Sequence, residues 1–205
     1  GTVPSPALPY KLERLSREAI EEILKTEAPG LPGDVIRRLS QFADGYPRIA
    51  VLLSESYLAN REGSENFLTI SDDNLINQLI NGRQMDSRTT RRVLQGLSLF
   101  RKVGYEGGLS KESEWVAELV MVDWYNFQEV VAEQRRRGII QGHHYIYVTP
   151  FMLRIHLLKE WWESHGLTKE NFNEFVGSIP EQFKADLLER FFDHIPYITT
   201  TARGK

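Results

Sequence analysis

The stretch Phe42-Ala43-Asp44-Gly45-Tyr46-Pro47-Arg48-Ile49-Ala50 holds the residue types most readily turned to binding chemistry. A glycine able to take the left-handed conformation ends one helix, the chain turns through Tyr46, and Pro47 opens the next helix where a missing N–H costs nothing. Arg48 then projects from the first turn, and its planar fork of donors suits phosphate oxygens. The plainer reading of the same residues is a helix-turn-helix connection with a solvated arginine. Other groups share this double character. His143-His144 falls on a hairpin turn, either a solvated tip or a phosphate or metal contact. Arg135-Arg136-Arg137 ends a helix, where cations either meet nucleic-acid phosphates or complement the negative end of the helix dipole. Asp72-Asp73 sits in the first turn of a helix capped by Ser71, and dipole stabilisation accounts for that pair without a metal.

Several chemistries are excluded outright. The sequence has no G-x-x-x-x-G-K-[ST] phosphate loop, no H-E-x-x-H, no G-x-S-x-G and no Gly-rich strand-to-helix fingerprint, so this chain alone is expected to hydrolyse nothing. Cysteine is absent, which removes thiol nucleophiles, redox pairs and Cys-ligated zinc, and suits a cytoplasmic location. With 25 Lys plus Arg against 28 Asp plus Glu, the formal charge is −3, unlike a chain whose main affinity is for a phosphate backbone. Apolar runs such as Ile49 to Leu53 and Leu119 to Val122 fall far short of the roughly 18–20 residues that cross a bilayer. The start Gly1-Thr2-Val3-Pro4-Ser5-Pro6 has no basic or apolar leader, and Thr199 to Lys205 follows a helical pattern without an end signal. Both ends lead us to expect a piece of a longer protein.

The elements that must position these residues are nearly all helical. Ser16 caps a first helix through Ile20, Ile23 and Leu24, stopped by Pro29-Gly30. Pro32-Gly33-Asp34 opens a second through Val35, Ile36, Leu39 and Phe42, with Gly45 at its C-terminal cap, and Pro47 starts a third that is apolar nearly all round. A fourth runs from Ser71 through Leu75, Ile76, Leu79 and Ile80 to Gly82. Beyond it come a helix with Val93, Leu94 and Leu97, a break at Gly104 to Gly108, a helix capped by Ser110, and another capped by Asp123 and ended by Gly138. There the period changes to a two-stranded hairpin, Ile139-Ile140-Gln141 and Tyr145-Ile146-Tyr147-Val148 about the Gly142-His143-His144 turn. Thr149-Pro150 begins a helix reaching Trp161-Trp162, read as a core anchor beside an exposed or interface neighbour. Thr168 and Pro180 open two last amphipathic helices whose apolar faces need a partner. The fold expected is mainly α: a four-helix bundle over 1–85, a winged-helix domain with a small β-hairpin over 86–166, and the start of a C-terminal helical region over 167–205.

In this order the parts resemble the lid and winged helix of STAND-class (NB-ARC-like) and AAA+ nucleoside triphosphatases. Leu12-Glu13-Arg14-Leu15-Ser16 is similar to the leader from the P-loop core into the lid. Gly45-Tyr46-Pro47 looks like the STAND Gly-x-Pro turn, Gly45 with Arg48 matches the AAA+ sensor-two spacing, and Val93 to Phe100 is similar to the opening of the winged helix. The resemblance covers most of the chain. It implies that Gly45, Tyr46, Pro47 and Arg48 face a bound ATP or ADP, with Pro47 against the adenine and Arg48 near the terminal phosphates. Mg²⁺ and the phosphate loop would belong to a core of the parent chain that is absent from this sequence. The family often has a Met-His-Asp motif after the wing, whose His meets the β-phosphate of ADP. Here Tyr147-Val148-Thr149-Pro150 stands in its place, leaving the Thr149 hydroxyl or a helix N-terminus to meet a phosphate.

The function implied is a signal-transduction switch in which nucleotide holds lid, winged helix and core closed, and release permits homo-oligomerisation. A different class is a transcription regulator whose helix from Trp124 to Arg137 reads DNA. Against it, Trp124, Tyr125 and Phe127 lead that helix, and Glu129 and Glu133 accompany its cations. A third is a helical scaffold that binds a protein through the last two helices.

Overall fold

The computed structural model describes residues 14–59, 76–77, 79–80, 87–165 and 168–193. Helix α1, Arg17–Glu27, begins where the Ser16 hydroxyl accepts the Ala19 amide at 3.2 Å, and buries Ile20 and Leu24. Helix α2, Gly33–Ala43, follows Pro32 and turns Val35, Ile36, Leu39 and Phe42 inward. Helix α3, Pro47–Ala59, starts on its proline and buries Ile49, Ala50 and Leu53. These three pack on one another. Of the expected fourth helix, Ser71, Asp72-Asp73, Leu75 and Gly82 lie outside the described residues, while Ile76, Leu79 and Ile80 are helical and buried. Leu12-Glu13 and the two chain ends also lie outside them.

Helix α4, Ser87–Ser98, leads to strand β1, Val103–Gly104, and a 3₁₀ turn at Gly107–Leu109. Helices α5, Ser110–Leu119, and α6, Trp124–Arg137, precede strands β2, Ile140–Gln141, and β3, Tyr145–Val148. The sheet is antiparallel in the order β1-β3-β2, with Val103 opposite Ile146 and Ile140 opposite Val148. The expected hairpin is therefore part of a three-stranded sheet. Its third strand is a two-residue segment at the start of the stretch read from sequence as a break at Gly104 to Gly108, too short to show any periodicity. A second departure concerns Ser110, which is the first residue of α5 and donates its hydroxyl to Glu114 at 3.0 Å instead of capping the helix.

Helix α7, Phe151–His165, follows the Thr149-Pro150 peptide, which is cis, and runs along α4. Helices α8, Lys169–Ser178, and α9, Glu181–Phe192, then fold back. Their apolar faces find a partner in this same chain. Phe175 and Phe191 are buried against Phe100 and Trp162, with ring centroids 5.4–6.3 Å apart, and Trp115 Nε1 donates to the Ser178 carbonyl at 3.0 Å. The Trp161-Trp162 pair, read as one core anchor beside an exposed or interface neighbour, is consequently buried at both positions. One continuous apolar cluster runs from Ile20 through Phe100 and Phe127 to Phe191. Among the described residues no helix is long and apolar enough to cross a membrane.

Candidate functional site

The turn between α2 and α3 is built by two successive left-handed residues. Asp44 has φ 48° and Gly45 φ 80°, so the chain reverses at once, and the Tyr46 carbonyl then accepts the amides of Ile49 and Ala50 to start α3. The segment before α1 lies directly over this turn. The Leu15 amide donates to the Gly45 carbonyl at 3.2 Å, and a Cβ on residue 45 would stand 2.7 Å from both Arg14 Cβ and the Leu15 carbonyl oxygen. Glycine is thus required twice, by conformation and by contact. Arg14 bonds the Asp44 carboxylate and lies 5.0 Å over the Tyr46 ring. Burial pushes the Tyr46 phenol up, an effect partly offset by Arg14.

Gly45, Tyr46 and Pro47 form one wall of a cleft of about 980 Å³, and the opposite wall comes from β2, β3 and the start of α7. Thr149 lines the same cleft, so four of the five residues singled out from sequence converge on one space. Thr149 itself is buried. Its hydroxyl donates to the Gly138 carbonyl at 2.9 Å and its amide to the Ile139 carbonyl at 2.8 Å, stitching the end of β3 to the end of α6. Its proton is therefore committed to the protein's own backbone. Arg48 is not on the cleft wall. It is exposed, and its stem lies across Gly138, the left-handed cap of α6: a Cβ there would meet Arg48 Cδ at 3.0 Å.

The cations that do line the cleft are Arg14, Arg101, Lys102 and Arg154, and among the described residues no carboxylate lines it. Arg101 pairs with Asp193 at 3.3 Å, and Lys102 lies 4.4 Å over the Tyr145 ring. Arg154 donates from Nη1 to the Arg101 carbonyl at 3.2 Å and stacks 5.2 Å from the Phe151 ring, while its buried Nε has no partner. Burial lowers the Arg154 pKa, as do the neighbouring charges of Arg14 and Arg101, against an opposing effect of Tyr46. Sequence reasoning passed over Arg101-Lys102 and Arg154 because they belong to no motif, and the pair meets Arg154 only when the chain before β1 and the start of α7 come together at the α2–α3 turn.

The remaining groups divide otherwise. Each arginine at the end of α6 is engaged by the protein: Arg135 lies 4.8 Å over the Tyr105 ring and bonds the His143 carbonyl, Arg136 pairs with Glu133 at 2.6 Å, and Arg137 donates to the Ile80 carbonyl. His143 and His144 occupy the exposed hairpin tip as expected. There Glu106 meets His143 Nδ1 at 2.6 Å and His144 Nδ1 at 3.5 Å, a donor set of the kind that takes zinc. The Arg135 guanidinium at the same tip opposes a further cation.

Comparison with known proteins leaves the site to speak for itself. No family model, curated protein or solved structure matches this chain. What the arrangement can do chemically follows from its parts. A cleft lined by four cations, by no carboxylate among the described residues and by the rings of Tyr46, Tyr147 and Phe151 suits an anion that also carries a flat apolar group.

Proposed function

We propose that this chain is the lid and winged-helix portion of a STAND-class nucleotide switch. The helical bundle expected over 1–85 acts as the lid, and the domain expected over 86–166, with the order α4-β1-α5-α6-β2-β3, as the winged helix. The supporting observation is that the Gly45-Tyr46-Pro47 turn and Thr149, far apart in sequence, line one positively charged cleft. Those are the two stretches that the family resemblance directs toward nucleotide.

In this reading the residues present fit the phosphates and base of ATP or ADP, and the P-loop core of the parent chain supplies Mg²⁺ and the phosphate loop. Tyr46 and Pro47 offer apolar surface to the base. The stitch from Thr149 to Gly138 holds the wall from β3 at a set distance from the end of α6. A ligand touching both walls favours the arrangement in which lid and winged helix stand together, and its loss frees them to rotate as units and to oligomerise. The energy of the switch is the difference in ligand contacts between those two arrangements.

The test is nucleotide titration and oligomer size in the complete parent protein, comparing wild type with Tyr46→Ala and Pro47→Ala. Weaker ADP binding, or assembly that no longer responds to nucleotide, is expected in both. Unchanged affinity together with unchanged nucleotide-dependent oligomer size would overturn the reading. The coding sequence upstream of Gly1 provides a second check: it should encode a phosphate loop followed by a strand ending in an acidic residue.

A further inference from the structure

The cleft contains an imbalance that the fold alone does not explain. Among the described residues its walls carry four cations, Arg14, Arg101, Lys102 and Arg154, and no carboxylate, the partners of Arg14 and Arg101 lying off the walls, in a chain whose formal charge is −3. Like charges brought together in a partly desolvated space repel, and an anion entering the cleft would relieve that repulsion. The four are not equivalent. Arg14 and Arg101 have carboxylate partners, Asp44 and Asp193, and both pairs are exposed. Pairs of that kind contribute little and exchange readily with an incoming anion. Lys102 rests on the Tyr145 ring. Arg154 has no carboxylate partner among the described residues, and its Nε is buried without an acceptor. A buried N–H left unbonded costs free energy, so a residue lining the cleft keeps a donor not yet spent on the protein.

We propose that this cleft is a phosphate seat centred on Arg154, with Arg101 and Lys102 as its flanking cations, and that Arg154, not Arg48, is the principal anion contact of this chain. Two features prepare Arg154 for the task. The Phe151 ring, 5.2 Å away, and the hydrogen bond to the Arg101 carbonyl restrict the guanidinium before any ligand arrives. A restricted donor fork loses less conformational freedom on binding than a free one. Arg48, by contrast, spends its stem on Gly138 outside the cleft. The phosphate class follows from the donors, since guanidinium forks with a flanking ammonium match a multiply charged tetrahedral oxyanion better than a single carboxylate. That the anion is the phosphate end of a nucleotide rests on the reading given above.

The experiment is calorimetric titration of the full 205-residue chain with inorganic tripolyphosphate and, separately, with ATP, in buffer of low ionic strength. Tripolyphosphate should bind and raise the unfolding temperature. Arg154→Gln should weaken it about ten-fold or more, the size of effect expected from losing a charge-assisted contact. Arg154→Lys should recover part of the affinity, Arg101→Gln and Lys102→Gln should each cost about three-fold by weaker flanking contacts, and Arg136→Gln, remote from the cleft, should change nothing. The flanking variants keep the test decisive if Arg154→Gln fails to fold. Absence of tripolyphosphate binding overturns the proposal, as does a loss in Arg48→Ala larger than in Arg154→Gln, or unchanged affinity in the Arg154 and both flanking variants. If ATP binds more tightly than tripolyphosphate and Tyr46→Ala removes the difference, the proposal and the nucleotide reading both stand. If the two ligands bind equally and both depend on Arg154, the seat stands and the nucleotide reading falls.

Discussion

The guanidinium of Arg190 on α9 closes on the buried carboxylate of Glu112 on α5, with Nη1 2.5 Å from Oε2 and Nη2 3.3 Å from Oε1. The same Glu112 oxygen accepts the amide of Gly104 in β1 at 2.7 Å, so one carboxylate ties together a helix, a strand and the C-terminal helix. Removing one partner strands the other charge in the interior. Arg190→Ala should therefore cost about 3–5 kcal/mol, read as the shift in urea midpoint. The uncharged double variant Glu112→Gln with Arg190→Met should recover much of it, since Gln can still accept the Gly104 amide and no charge is left buried. A loss below about 1 kcal/mol in Arg190→Ala would show that the pair does not hold α9 in place.

A second ion pair makes stability depend on pH. Burial alone would push the Glu160 carboxyl up. Its hydrogen bond to Arg91, the Arg91 charge, His156 and Gln95 outweigh that effect and hold it below the ordinary carboxylate value. A carboxylate with a lowered folded-state pKa contributes stability above its unfolded pKa, about 4.3. That contribution is lost as pH falls through the folded value. The unfolding-temperature gap between wild type and Glu160→Gln should thus be widest near neutrality and should narrow below about pH 4. A gap that stays constant from pH 7 to pH 3 would contradict this linkage.

Gly45 should tolerate no side chain. Its φ of 80° alone implies a cost of about 1–2 kcal/mol for alanine, and the contacts at 2.7 Å with Arg14 and Leu15 add to it. Gly177 in α8 is the control, since a Cβ there meets nothing within 4 Å and φ is not positive. Gly177→Ala should be neutral or stabilising by up to about 1 kcal/mol. Thermal unfolding of the two variants should move in opposite senses; a Gly45→Ala protein as stable as wild type would mean that the leader is not held against the turn.

Phe191 is buried among Phe100, Trp162, Phe172 and Phe175. Phe191→Ala is expected to cost about 3–5 kcal/mol. Because its contacts belong to the common core, the loss should shift a single transition seen alike by tryptophan fluorescence and far-UV circular dichroism. Two separated transitions, with the tryptophans reporting only the first, would mean that α8 and α9 detach on their own.

Since the arginines ending α6 already bond Tyr105, Glu133 and Ile80, their triple alanine variant should lose stability rather than reveal a nucleic-acid function. Duplex DNA at physiological salt should not be retarded by the wild-type chain. Salt-dependent binding abolished in the triple variant would restore the DNA-reading alternative.

Most helix ends, Ser110 excepted, were legible in the sequence because they are local chemistry. Ser16, Asp123 and Thr168 each accept an amide three residues on, Pro47 opens its helix and Gly138 closes α6, and none of these acts needs a distant partner. The hairpin from Ile140 to Val148 was legible for the same reason, its strands being joined by a short turn. Strand β1 was not, because Val103 becomes a strand only on meeting Ile146, and two residues carry no period. Nor was the burial of Trp162, which depends on α8 and α9 folding back over it. The candidate site divides along the same line. The Gly45-Tyr46-Pro47 turn announces itself by residue type, whereas the Arg101-Lys102 pair and Arg154 become neighbours only through the cleft. A cap or a turn is decided by interactions within a few residues, while a cleft is decided by which surfaces the core brings together.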